Sequence, residues 1–126
     1  CPLKETQFLD RAVHPMHVKR HGLSPGAFLN ASINGQQTKC LSVDWAILTS
    51  PEDMAQDWIG THPNWGKVAI ASITNLCFLD NNQYVYHSPE LGNYAHFNLC
   101  GEKDDAVRAR LAECANLILR DVRPNT

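Results

Sequence analysis

The chain contains no apolar run near the roughly 20 residues that a bilayer-spanning helix requires, so no transmembrane helix is expected. None of its cysteines form a Cys-x-x-Cys pair, which excludes zinc ribbons and thioredoxin-type redox motifs. Gly-x-Gly-x-x-Gly and Gly-x-x-x-x-Gly-Lys are both missing, and with them the common phosphate loops. There is no Gly-x-Ser-x-Gly elbow and no paired-carboxylate motif. No basic stretch is interleaved with aromatics in the manner of single-strand binders, so nucleic acid is disfavoured. Charge is also sparse: 19% of residues are charged and the formal net charge is −2. Nothing in that balance draws the chain to a phosphate backbone or an anionic membrane. Internal repeats and low-complexity segments are absent.

What is there fits one globular α+β domain over residues 1–126. That length buries a core without metal or disulfide staples, and 44% hydrophobic content supplies it. The five cysteines are Cys1, Cys40, Cys77, Cys100 and Cys114. The count is odd, and Cys77, Cys100 and Cys114 have apolar neighbours or sit on an apolar helix stripe. They read as reduced thiols that behave as small hydrophobes, in a reducing compartment. The opening Cys1-Pro-Leu-Lys-Glu segment is polar and charged, unlike a signal peptide. The expected location is therefore cytoplasmic. Asn30-Ala-Ser32 matches the glycosylation sequon, a three-residue pattern that recurs by chance.

Local patterns give an element order of β, short α, β, α, β, β, β, α. Phe8–Val13 alternates as a strand and stops at His14-Pro15. Residues 15–21 read as a turn or one to two helical turns, closed by Gly22. Ser24–Leu29 is a tight turn, and residues 30–39, with Asn34-Gly35, are a loop or hairpin. Cys40–Trp45 is a strand with Leu41, Val43 and Trp45 on one face and Ser42 and Asp44 on the other. Ser50-Pro-Glu-Asp53 starts a helix whose stripe is Met54, Ala55, Trp58 and Ile59, ended by Gly60. Thr61–Gly66 is a loop. Lys67–Ile73 is a buried central strand, and Thr74–Leu79 a short helical turn or more strand. Residues 83–87 and 94–100 are strands. Residues 103–122 carry a helical period through Val107, Leu111, Cys114, Ala115, Ile118 and Val122. The mixed order points to a mainly antiparallel sheet with two principal helices packed on it.

Several residues could carry chemistry. His14, His17 and His21 would share a helical face and could hold a metal or phosphate, but Pro15 opposes that helix and no acid or cysteine completes a ligand set. The plain alternative is a partly exposed basic turn. Arg11 lies mid-strand beside Asp10, and is either an edge charge facing water or an anion-binding guanidinium at a cleft. Ser42 and Asp44 project together, and His17 or His96 could complete an acid–base group with them. His96 alternates with Tyr94; it is either a cleft-facing general acid or a half-buried histidine held by one backbone partner. Trp45, Trp58 and Trp65 could stack on a planar ligand; Trp58 belongs to a core stripe, and Trp65 lies in a loop.

The runs Arg11-Ala-Val-His-Pro-Met-His-Val18, Ser24-Pro-Gly-Ala-Phe28, Leu41-Ser-Val-Asp44, Gly66-Lys-Val68 and Ala95-His96 resemble, in the same order, a group of small uncharacterised bacterial proteins. That resemblance spans about residues 8–115 and brings no function with it. At the level of fold, the chain also resembles small ADP-ribosyltransferase-like domains. Arg11, Ser24 and the Ser42 strand with its Ser50 helix fit their opening. The late acidic position departs, because Glu90 falls in a loop and Glu102 opens a helix. Two functions follow as expectations. One is a non-catalytic, protein-binding subunit of a bacterial multi-component system, with a protein partner or self-association. The other, implied by the second resemblance, is a small nucleotide- or NAD-handling enzyme with an Arg/His/Ser cleft. The candidate ligand-binding set is Arg11, His14, His17, Ser24, Ser42, Asp44 and His96, with room for a small-molecule ligand. No cofactor, metal or membrane is expected.

Overall fold

The computed structural model describes residues 4–20, 22–28, 32–33, 36–37, 40–90 and 93–124. The strands are β1 (Phe8–Val13), β2 (Val18–Lys19), β3 (Gly22–Leu23), β4 (Ser32–Ile33), β5 (Gln36–Gln37), β6 (Cys40–Trp45), β7 (Val68–Thr74), β8 (Tyr84–His87), β9 (His96–Cys100) and β10 (Asn116–Val122). The helices are α1 (Pro51–Thr61), α2 (Asn75–Asp80) and α3 (Asp105–Cys114). Six strands form one antiparallel sheet in the order β10-β7-β1-β6-β9-β8. The fold is α+β. No helix among the described residues is long and apolar enough to cross a membrane.

Strand alternation sorts side chains onto the two faces of this sheet. Leu9 and Val13 of β1, Leu41 and Val43 of β6, Ala71 and Ile73 of β7, and Phe97 and Leu99 of β9 face α2 and α3 and form the larger core. The opposite face carries Ala12, Val68 and Ile70, which α1 covers with Met54, Ala55 and Ile59. α1 starts as its sequence dictates: the Ser50 hydroxyl accepts from the Asp53 N–H at 3.1 Å, and Pro51 occupies the first turn. It runs past Gly60 to Thr61 and is capped at His62, so Gly60 does not end it. Thr74 caps α2 and Asp104 caps α3 in the same way as Ser50.

The structure corrects three expectations. The helical period over residues 103–122 covers two elements. α3 ends at Cys114, Ala115 turns extended (φ −74°, ψ 139°), and β10 pairs with the outer edge of β7. Positions four apart suit either geometry, since four is also a multiple of the strand period. The alternation of half-buried Leu117 and Leu119 with exposed Asn116, Ile118 and Arg120 decides for a strand once an edge is offered. Residues 15–17 form the turn, a single 3-10 turn, and Gly22 does not close a helix: it pairs with Lys19 between β2 and β3 at φ 144°. Finally, the cysteines are not all reduced. Cys40 and Cys100 face each other across β6 and β9 and form a disulfide, while Cys77 and Cys114 are free. Sequence spacing could not reveal this pair, because it depends on strand register. Cys1, the Asn30-Ala31 part of the sequon and the Asn34-Gly35 turn lie outside the described residues; the flanking β4 and β5 pair as a hairpin.

Candidate functional site

Polar side chains collect on the sheet face that α1 overhangs. Register places Ser72, Asp10, Asp44 and His96 opposite one another in turn, a polar row across β7, β1, β6 and β9. Ser42 and Asn98 form the next row. His96 is buried, and its ring is held at both nitrogens. Nδ1 lies 2.8 Å from the Ser88 carbonyl, which can only accept, so Nδ1 carries a proton. In the neutral ring Nε2 therefore presents its lone pair to the Ser42 hydroxyl, 3.0 Å away. Glu90 Oε1 is also 3.0 Å from Nε2 and accepts from it once the ring is an imidazolium.

Ser42 is fixed from behind. β1 and β6 pair only at Leu9↔Trp45 and Asp10↔Asp44, then part. The Arg11 guanidinium fills that gap from the larger-core face, with Nε donating to the Ala27 carbonyl and an Nη donating to the Ser42 carbonyl, both at 2.8 Å. Burial draws this guanidinium down to about 10, so it stays charged at neutral pH.

Ser42, Asp44, Glu90, Asn93 and His96 form one wall of a cavity of about 590 Å³, and Met54, Asp57, Trp58, Thr61 and His62 of the α1 segment form the other. Trp58 and His62 stack at 4.2 Å, and the Trp58 indole N–H is buried without an acceptor. Among the described residues, the lining holds three carboxylates and no lysine or arginine. Burial pushes the Asp44 carboxyl above its ordinary value; the Asn93 amide (3.2 Å) and His96 oppose that, while Glu90 and Asp57 add to it. Asp10, directly across from Asp44, is 1% exposed, and neither of its oxygens has a hydrogen-bond partner among the described residues. Its carboxyl is also held high, first by burial. The Ser72 hydroxyl opposes this without forming a bond of ordinary geometry, and Asp44 adds repulsion.

Of the residues singled out from sequence, Ser42, Asp44 and His96 meet in this cavity. Arg11 does not line it and instead anchors the backbone of Ser42. His14 and His17 lie apart. His14 accepts from the Met16 N–H and sets its edge against Trp65, while His17 bonds the Ser24 hydroxyl at 3.0 Å. Burial lowers the His17 imidazole, with His14, Lys19 and Arg11 adding to the effect. His21 lies outside the described residues. Asp57, His62 and Asn93 carry no signal in the sequence that marks them for this cavity, Asp10 enters there only as the neighbour of Arg11, and Glu90 only as an acid in a loop. What was readable in α1 is that Met54, Asp57, Trp58 and Thr61 share a helix face. Glu90 and Asn93 sit in a connection that gives no periodic signal. Among the described residues, no group of three His, Cys, Asp or Glu side chains is arranged to hold a metal ion. The Cys77 thiol is buried on α2 and pushed up to about 12, chiefly by that burial, so it is no nucleophile at neutral pH.

Compared with known proteins, the chain matches no family model, no curated protein and no solved structure.

Proposed function

We propose that this chain is a small-molecule hydrolase of the acyl-transfer class, with Ser42 as nucleophile and His96 as general base. The observation that carries the reading is the 3.0 Å contact from the Ser42 hydroxyl to a His96 Nε2 whose lone pair is oriented by the Ser88 carbonyl. The Ser42 proton passes to Nε2 as Oγ bonds the substrate carbonyl carbon. Glu90 accepts from the imidazolium so formed. The leaving group departs with that proton, leaving an acyl ester on Ser42. Water then attacks the ester, giving its proton to Nε2, and release of the acid returns the proton to Ser42 Oγ. Asp44 and Asn93 complete the wall beside these atoms.

Labelling with a fluorophosphonate, followed by peptide mass spectrometry, tests this directly. Modification at Ser42 is expected, with p-nitrophenyl acetate turnover lowered at least ~100-fold in Ser42→Ala and His96→Ala. An unlabelled Ser42, or turnover that survives Ser42→Ala, would overturn it. The nucleotide- or NAD-handling alternative gains nothing from a wall whose described residues include three carboxylates and no lysine or arginine.

A second reading, a protein-binding subunit that recruits a partner or a second copy, is favoured by one feature. β8 is the last strand of the sheet, and its Tyr84 and Tyr86 are 53% and 58% exposed. Sedimentation of the native chain against Val85→Pro tests it; a monomer at every concentration in both removes self-association. The Cys40–Cys100 disulfide favours an oxidising compartment over the cytoplasm expected from the cysteine count.

A further inference from the structure

The cavity beside Ser42 and His96 carries three carboxylates among its described residues, of which Glu90 lies 3.0 Å from the His96 imidazole. Among the described residues, Asp44, Asp57 and Glu90 line it, no lysine or arginine does, and His62 and His96 each have a ring nitrogen tied to a backbone carbonyl. Behind Asp44 stands Asp10, on the same sheet face, 1% exposed, with both oxygens lacking a hydrogen-bond partner among the described residues. A carboxylate in that position is costly unless it takes up a proton or a compensating charge arrives. The Arg11 guanidinium does not compensate it, because it bonds the Ala27 and Ser42 carbonyls. Trp58, stacked on His62, adds an aromatic wall to the lining. Its indole N–H, buried without an acceptor, suits a carbonyl or other acceptor on the same ligand.

We infer that the ligand of this cavity carries an ammonium group, seated against Asp44 and Asp57 beside the Trp58 indole. This deepens the hydrolase reading by naming its substrate class, an acyl compound bearing an amine, and it rests on that reading only for the acyl part. The raised carboxyls of Asp10 and Asp44 agree with it, since an arriving cation favours their ionised forms.

The test separates the two parts. Phenethylamine and its uncharged counterpart 2-phenylethanol are titrated into the 15N-labelled chain and followed at the Trp58 indole and Asn93 side-chain resonances. The amine is expected to bind at least about tenfold more tightly, a difference of roughly 1.4 kcal/mol. That advantage should shrink in high salt and disappear in Asp44→Asn. Asp57→Asn, at an exposed position of α1, should reduce it too and keeps the test decisive if Asp44→Asn does not fold. Equal binding of the two probes, or shifts confined to residues away from Trp58 and Asn93, would overturn the inference. In parallel, the p-nitrophenyl esters of glycine and of acetic acid are compared. A higher kcat/KM for the glycine ester supports both readings. Equal turnover keeps Ser42 as nucleophile and removes the ammonium site. Selective amine binding without turnover of either ester keeps the ammonium site and removes the hydrolase.

Discussion

At the scale of single residues, the buried charges dominate. Asp10 and Asp44 have folded-state carboxyls held above the ordinary 3.8. Such a group favours the protonated fold, so ionising it at neutral pH costs stability. That cost fades as pH falls through the folded value and is gone below the unfolded one. Asp10→Asn imitates the protonated form. It should therefore raise the free energy of unfolding at neutral pH by on the order of 1 kcal/mol, with the gain vanishing below the ordinary aspartate value. Urea denaturation of both proteins across that pH range checks the sign. Arg11 works oppositely. Arg11→Met leaves the carbonyls of Ala27 and Ser42 without their donors, at roughly 1–3 kcal/mol each if both stay dry. The expected outcome is a chain that unfolds at markedly lower denaturant and loses Ser42 reactivity in parallel. Arg11 also marks a limit of sequence reading: an arginine among alternating apolar residues announces something special, but whether it meets an anion or a carbonyl depends on where two strands part.

At the scale of elements, legibility followed how local the cause was. The start of α1 could be read because Ser50, Pro51, Glu52 and Asp53 act within one turn. Ser50→Ala should accordingly cost about 0.5–2 kcal/mol, measurable as a shift of the denaturation midpoint. The faces of β6 could be read because period two is local, and this brought Ser42 and Asp44 to one side. β10 could not. Residues 116–122 satisfy a helical stripe as well as a strand, and only the vacant edge of β7, more than forty residues earlier in the chain, selects between them. Glu90 and Asn93 were illegible for a related reason, since nothing in their connection indicates which strand they will lean over. Gly101 supplies a further check. At φ 145°, with a Cβ there meeting Gln83 Oε1 at 2.7 Å, it cannot take a side chain without moving the β9 end. Gly101→Ala should lower the melting temperature through both strain and contact.

At the scale of the whole molecule, two layers of helix cover one sheet unequally. α2 and α3 seal the larger core, whereas α1 lies over the β10, β7 and β1 half of the other face and packs apolar side chains there. The polar row toward β6 and β9 opens from beneath its edge, which is how a sheet with a dry interior also presents a polar cavity. The disulfide stitches the two strands of that open half. Because its cysteines are 60 residues apart, opening it should cost about 2–4 kcal/mol, read as the difference in denaturant stability between the oxidised chain and a Cys40→Ser/Cys100→Ser variant.

The same bridge has a topological consequence. Every described residue that lines the cavity, from Ser42 to His96, falls between Cys40 and Cys100. The walls of the cavity thus belong to one covalent ring, while Asp10 and Arg11 press on it from a tail outside. A single peptide-bond cut anywhere in the ring opens it into two arms still tied at the cystine, so both walls travel together until the sulfur bond is reduced.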